Sequence, residues 1–273
     1  MVIFAFSYLL TTVNKVDKEV FYKNPLNSDS FVLKFLNMAK ETIIISLGGS
    51  LVAPGDIDLV FLKNFQRSLG KYIGSDPAKS PNGVRGVKFF ILVGGGKTAR
   101  IYQKALLEFG AKNSDRDWMG INITRLNAEI IKQMFSANGY PKIITDPNKK
   151  VKTSKNIIVG AGWKPGWSTD YDAVLTAKNY NIKTIINLTN VDYVYDKNPN
   201  EFPGAKPLKE IDWKNFQRIV GDEWSPGLSM PFDPRATKLA ASLKLKLAII
   251  NGKNLERLED FLDNRPFIGT IIK

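Results

Sequence analysis

The sequence predicts an α/β fold built on an open, mostly parallel sheet with helices on both faces. Two observations carry this. Short β-branched, apolar runs alternate along the chain with segments of helical periodicity, the pattern of repeated strand–helix units. The strands also read as continuous apolar runs, as strands covered on both faces do. A third observation points to a ligand. Glycine clusters follow Leu47, Val93 and Val159, and the polar pair Thr189-Asn190 follows Leu188. Open parallel sheets bind ligands outside the carboxyl ends of their strands.

The elements follow in order. TIIISL (42–47) is a strand ended by Gly48-Gly49-Ser50. Apolar residues at Ile57, Val60, Phe61, Phe65, Leu69 and Ile73 recur at helical spacing. Residues 75–86 are rich in glycine, proline and serine and read as a surface loop. VKFFILV (87–93) is the next strand, followed by helices over about 98–109 and 120–135. PKIIT (141–145) and NIIVGA (156–161) are read as strands, and about 170–179 as a helix. IKTIINL (182–188) is a strand. The chain closes with a helix (234–243), a strand (245–250), a helix (255–262) and a final strand, GTIIK.

The 273 residues suffice for one large domain or two small ones. The chain is 44% hydrophobic and 24% charged, ordinary for a globular protein. It has no cysteine and no histidine. Disulfides, thiolate metal sites, cysteine nucleophiles and serine–histidine triads are excluded. A chemistry that needs little proton transfer remains, and phosphoryl transfer is one, since it rests on positioning and charge stabilisation. The net charge is +13. No interleaved aromatic–basic strip accompanies it, so an anionic small substrate is expected rather than nucleic acid. The apolar run 2–10 is too short to span a bilayer, which takes about 20 residues, so no membrane partner is expected. The texture changes at Met38, which points to 1–37 as an N-terminal extension, possible mis-assignment of the start included, and to 38–273 as one domain. Without the extension four lysines and three acids go, leaving +12.

The stretch ILVGGGKTAR (91–100) ends like a Walker A loop, but the leading glycine of that pattern would fall at residue 91, an isoleucine. The dinucleotide pattern fails for want of a third glycine. The physics survives both failures. Gly94, Gly95 and Gly96 let backbone N–H groups approach a ligand, at a helix N-terminus that favours an anion. Lys97 and Arg100 add charge in the first turn, unfavourable to the helix alone and offset by an anionic ligand. A glycine-rich turn with solvated basic residues is the plainer alternative.

Six segments in order resemble the amino acid kinase family, and within it the archaeal-type UMP kinases. They are SLGGS (46–50), VGGGKTAR (93–100), DWMGINITRLNA (117–128), GWKPGWSTD (162–170), TNVDYVYDKNP (189–199) and DPRATK (233–238). The resemblance covers nearly all of the chain after Met38. It implies a three-layer α/β/α sandwich, an acceptor-binding lobe (about 38–165), an ATP-binding lobe (about 166–273), and Mg²⁺-dependent transfer of the ATP γ-phosphate to UMP. It implies that Gly49, Ser50, Gly96 and Arg100 face ATP phosphates, and that Thr189, Asn190, Tyr195 and Asn198 line the adenosine site. Gly95 would contact UMP and Asp117 would take the ribose hydroxyls. Trp163, Lys164, Pro165, Gly166, Trp167, Ser168 and Thr169 would hold the UMP phosphate and base. Asp170 would organise the transfer, with Lys97 as a candidate cation. A cytoplasmic homo-oligomer, typically a hexamer, is implied as well.

The residue chemistry is compatible with these roles. A phosphate monoester has a second pKa near ~6, so its oxygen is anionic at neutral pH and needs no base. A carboxylate such as Asp117 can accept two hydrogen bonds from a diol. It can also cap the helix expected to begin just after it. Asp170 has the same alternative. Arg125 and Asn127 read as structural polar contacts. Four positions depart from the family pattern. Ser46 replaces a lysine common in the family, Asn198 an aspartate, and Tyr193 a glycine. Asp172 adds a carboxylate near the expected phosphates, within reach of Mg²⁺ through water. The absent histidine speaks against isopentenyl phosphate as the acceptor. Another acceptor, or a non-catalytic nucleotide- or oxyanion-binding protein on the same fold, are the alternatives.

Overall fold

A computed structural model of the chain describes residues 42–73, 86–199, 201–223 and 230–273. The N-terminal extension expected over 1–37 and most of the loop 75–86 lie outside the described residues.

Each strand is a β-branched or aromatic run. The strands of the main sheet are β1 (Thr42–Leu47), β2 (Lys88–Val93), β3 (Ile157–Gly160), β4 (Thr184–Thr189), β7 (Glu210–Ile211), β8 (Lys246–Asn251) and β9 (Thr270–Ile272). Their order is β3-β2-β1-β4-β8-β9-β7, and β5 (Val194–Tyr195) and β6 (Pro207–Leu208) form a separate hairpin. All pairings in the large sheet are parallel except β8 with β9. The helices are α1 (Gly49–Val52), α2 (Leu59–Gly70), α3 (Gly96–Glu108), α4 (Asn113–Met134), α5 (Thr169–Tyr180), α6 (Trp213–Val220), α7 (Pro234–Ser242) and α8 (Glu256–Leu262).

Side chains of a strand alternate between the two faces of a sheet, and here both faces are apolar. Ile43, Ile45 and Leu47 of β1 join Phe65 of α2, Ile131 of α4 and Leu258 of α8 in one buried layer. Ile44, with Phe90 and Leu92 of β2, joins Val174 of α5, Phe216 of α6 and Ala236 of α7 in the other. The result is the three-layer α/β/α sandwich. Each fully buried side chain of this kind contributes roughly 1.5–3 kcal/mol.

Three expectations are corrected. PKIIT contributes only an isolated bridge, Ile144 to Gly160, not a strand; Pro141 denies the ladder a donor. The helix expected from 120 begins at Asn113, so Asp117 lies inside α4 and does not cap it. The expected helix over 98–109 already starts at Gly96. Helix α6 was not foreseen, although Trp213, Phe216 and Val220 mark its buried face at helical spacing. Among the described residues no helix is long and apolar enough to cross a membrane.

The direction of strand addition reverses between β1 and β4. From β1 the sheet grows to β2 and β3 on one side and to β4 and β8 on the other. A crevice opens at such a switch point, beyond the carboxyl ends of the strands. The glycine loops and Thr189 lie at that edge.

Candidate active site

Backbone hydrogen bonds tie the loops of this edge together. Gly48 N donates to Leu188 O at 2.8 Å and Gly94 N to Leu47 O at 2.9 Å. Gly49 and Gly96 pack backbone against backbone. A Cβ on Gly49 would lie 2.1 Å from Gly96 N, and one on Gly96, where φ is +68°, would lie 2.3 Å from Gly49 O. These two glycines are therefore required by the fold itself, whatever ligand they face. Gly95 caps α3. Asn127 of α4 holds the turn by donating to Gly94 O at 2.9 Å, the structural contact expected of it. Lys97 and Arg100 are both exposed on the first turn of α3.

Two polar residues interrupt the apolar strands side by side. Ser46 of β1 and Asn187 of β4 are register partners, both buried. Ser46 Oγ donates to Asp170 Oδ1 at 2.8 Å. Asn187 Nδ2 donates to Pro231 O at 2.8 Å and so fixes the approach to α7. There Asp233 caps the helix, accepting from Arg235 N at 2.6 Å and Ala236 N at 2.9 Å. Ser168 caps α5, accepting from Tyr171 N at 3.1 Å, while its hydroxyl donates to Asp233 Oδ2 at 2.6 Å. The N-termini of α5 and α7 thus converge. Asp170 stands between them as the second residue of α5, so Ser168 and not Asp170 is the cap. Burial pushes the Asp170 carboxyl up to about 7; the Ser46 hydroxyl and the Asp233 N–H oppose the rise, and the Asp233 charge adds to it.

Asp172 does not face the crevice, against expectation. It is fully buried, and its Oδ2 accepts from Trp163 N at 3.1 Å. One helical turn holds residues on different faces, and Asp172, two positions past Asp170, points into the layer beneath the loop 163–169.

That loop is held at both ends and at its tip. At its start Gly162 N donates to Thr124 Oγ1 at 2.9 Å, and Arg125 Nη2 donates to Gly162 O and Trp163 O at 3.4 and 3.3 Å. Ser168 secures its end. At the tip, Gly166 N donates to Asp117 Oδ2 at 2.7 Å, and Arg235 Nη2 donates to Gly166 O. Pro165 precedes that tip and Thr169 opens α5. Trp163 and Trp167 have ring centroids 5.9 Å apart, and Trp167 lies 4.3 Å from Tyr171. Lys164 Nζ sits 4.0 Å from the Trp163 ring centroid and 5.3 Å from that of Trp167. Burial raises the Asp117 carboxyl above its usual range, against the Gly166 N–H and the charges of Arg116 and Arg235.

Beyond the ends of β1 and β4 lies a cavity of about 770 Å³. Ser50, Arg100, Thr189, Asn190, Tyr195 and Asn198 all line it. Six of the eight residues expected on the ATP side are thereby brought together from three separate segments. Gly49 and Gly96 are not among its lining residues. Sequence reasoning missed Tyr193 and Arg218, which also line it. Tyr193, noted as standing in place of a glycine of the family pattern, meets Tyr195 edge-on, with centroids 6.5 Å apart. It also missed Asn187, Asp233 and Arg235. The polar interruptions in TIIISL and TIINLT were the available signal.

The sequence profile of the amino acid kinase family matches residues 41–251. The uridylate kinase of Pyrococcus abyssi is 33% identical over 223 residues, covering 81% of this chain and 94% of that protein. The uridylate kinase of Thermococcus kodakarensis is 32% identical over 234 residues, covering 85% of this chain and 99% of that protein. The crystal structure of uridylate kinase from Archaeoglobus fulgidus superposes with a TM-score of 0.66 at 28% identity, over 85% of this chain and 99% of that one. The UMP kinase structure from Bacillus anthracis, at 17% identity and a TM-score of 0.68 over 85% of this chain and 96% of that one, shares the fold.

Proposed function

The chain belongs to the amino acid kinase family, and we propose that it is a uridylate kinase, moving the γ-phosphate of ATP to UMP and releasing UDP and ADP. A fold alone does not carry an activity. The observation that carries this one is similarity over nearly the whole length of archaeal proteins named uridylate kinase. Site geometry and the residue inventory are consistent with it.

In this reading ATP occupies the cavity of about 770 Å³, with its phosphates toward Ser50 and Arg100 and its adenosine against Thr189, Asn190, Tyr195 and Asn198. Gly49, Gly95 and Gly96 shape the turn between the two nucleotides. UMP sits under the loop Trp163, Lys164, Pro165, Gly166, Trp167, Ser168 and Thr169, with its ribose on Asp117. The carboxylate of Asp117 has spare acceptor positions beyond the Gly166 N–H. An oxygen of the UMP phosphate attacks the γ-phosphorus, the bond to the bridging oxygen of ADP breaks, and ADP leaves as the oxyanion. The attacking oxygen is already ionised, so a chain without histidine can serve it.

Asp170 orders the transfer site and Lys97 supplies a mobile cation at its rim. Magnesium fits this donor set as an ion carried on ATP. Mg²⁺ is commonly bound by one or two carboxylates plus phosphate oxygens, and no group of three ligating side chains is assembled among the described residues. Asp170, whose carboxyl is raised by burial, is the carboxylate that a cation would keep ionised. Bound there, the ion would neutralise charge on the transferring phosphoryl group.

The same reading divides the chain into an acceptor lobe (about 38–165) and a nucleotide lobe (about 166–273) and places it in the cytoplasm as a homo-oligomer. Tyr102, Phe109 and Trp118 are exposed on and beside α3 and α4, in keeping with a self-association surface. The deciding assay incubates the protein with Mg·ATP and, separately, UMP, CMP, AMP, GMP or N-acetylglutamate, and follows ADP. Turnover confined to, or strongly favouring, UMP is the expected result. Turnover with another acceptor and none with UMP overturns it.

A further inference from the structure

Gly166 is the free joint of the acceptor loop, and the two peptides that flank it are pinned from opposite parts of the chain. Its φ is +83°, a conformation open to glycine and rarely to other residues. Pro165 before it has a φ fixed by its ring, so the loop's freedom at this point resides in Gly166. The peptide preceding Gly166 gives its N–H to Asp117 Oδ2, on α4. The peptide following it gives its carbonyl to Arg235 Nη2, on α7. Peptide groups are planar, so fixing one on each side of a single residue fixes both of its dihedral angles. Arg235 does more than accept this position. Its guanidinium carbon lies 5.7 Å from the Trp167 ring centroid, and its charge acts on Asp117. Its own place is set by the Asp233 cap, which takes the Arg235 N–H.

We propose that Arg235 is a positioning residue for the acceptor, holding the Gly166 joint so that its N–H stays on Asp117 and the loop 163–169 keeps one shape. The proposal rests on the reading of that loop as the acceptor site and adds a residue to it. Arg235 does not touch the reacting atoms in this account. It acts through the loop and through the orientation of the Asp117 carboxylate. A guanidinium suits the task because its planar fork can hold a carbonyl while lying against an aromatic face.

The test uses the full chain and the variants Arg235→Met and Arg235→Lys. Hydrogen exchange of the 162–169 segment is measured without nucleotide. Exchange at the Gly166 amide is expected to quicken by about tenfold or more in Arg235→Met, since local opening then needs one bond fewer. In the forward assay the KM for UMP should rise by about tenfold with the KM for ATP changing less than about twofold. Arg235→Lys, which keeps a donor for the Gly166 carbonyl, should recover part of both effects. Unchanged exchange at Gly166 in Arg235→Met overturns the proposal. So does an equal rise in both KM values, or a lysine variant no better than methionine. If the wild-type chain does not turn over UMP at all, the acceptor reading fails, and the exchange measurement alone still decides whether Arg235 holds the joint.

Discussion

Ser46 Oγ donates to Asp170 Oδ1 at 2.8 Å, joining the end of β1 to the first turn of α5 across 124 positions of sequence. The hydroxyl gives the buried carboxylate a hydrogen bond from a neutral donor, where an ammonium would give one from a charged group. A neutral donor is the weaker partner. Hydrogen bonds to charged groups contribute about 1.5–3 kcal/mol, and burial still leaves Asp170 up at about 7. The hydroxyl lowers that value, so removing it raises it further. In Ser46→Ala the acidic limb of the kcat profile should move to higher pH. Measured at pH 6.5 the loss should exceed the loss at pH 8.5 by about threefold or more. Profiles of identical shape would show that Asp170 titrates independently of Ser46.

Asp117 was open to two readings, diol acceptor or helix cap, and its position decides what its variants test. It lies inside α4, whose N-cap is Lys112, so a cap cannot be lost by changing it. Asp117→Asn keeps an oxygen for the Gly166 N–H but loses charge and acceptor capacity toward a diol. The KM for UMP should rise by about tenfold or more while the KM for ATP and the melting temperature stay nearly unchanged. A lowered melting temperature with equal loss of both substrates would return Asp117 to a structural role.

Most of the fold was legible because its strands are uninterrupted apolar runs that alternate with helical periodicity. Helix α6 was not, because Trp213, Phe216 and Val220 are too few to separate a short helix from a loop. The start of α4 was misjudged because its first residues, Asn113, Ser114 and Asp115, are exposed and polar and carry no apolar periodicity. Six residues that line the cavity beyond β1 and β4 were singled out through the segments they sit in. Asn187, Asp233 and Arg235 were not, because each acts on a neighbour distant in sequence. Asn187 reaches Pro231, Asp233 reaches Ser168, and Arg235 reaches Gly166. No periodicity encodes such pairs.

The glycines illustrate how a ligand motif and a packing demand coincide. A methyl group on Gly49 would meet Gly96 N at 2.1 Å and Gly94 O at 2.5 Å, and both obstacles are backbone. Gly49→Ala should therefore destabilise the nucleotide-free protein by about 3 kcal/mol, at the upper end of overpacking costs. In a chain of this size that is a fall in melting temperature of roughly 6–12 °C. Thermal unfolding without nucleotide reads it directly. A variant that melts with the wild type and loses only ATP binding would assign the glycine to the ligand alone.

Asp172 makes the opposite trade, a carboxylate kept where an amide would suit the fold better. It is fully buried, its Oδ2 accepts from Trp163 N, and its Oδ1 has no hydrogen-bond partner among the described residues. Burial pushes it up to about 7, the Trp163 N–H opposes, and Asp146, Asp170 and Asp233 add to the rise. In the unfolded chain an aspartate titrates near ~3.9. Ionisation is therefore easier unfolded than folded. The folded state loses stability as pH climbs from about 4 through about 7, and below about 4 the group costs nothing. Asp172→Asn imitates the protonated form and keeps an acceptor for Trp163 N. Its stability gain should be small at pH 5 and widen toward pH 8, to on the order of 3 kcal/mol. Chemical denaturation at the two pH values measures the difference. A gain of the same size at both would mean that Asp172 is already ionised in the folded protein at pH 5. A loss at both would mean that the carboxylate holds the start of the loop 163–169 in a way that an amide cannot.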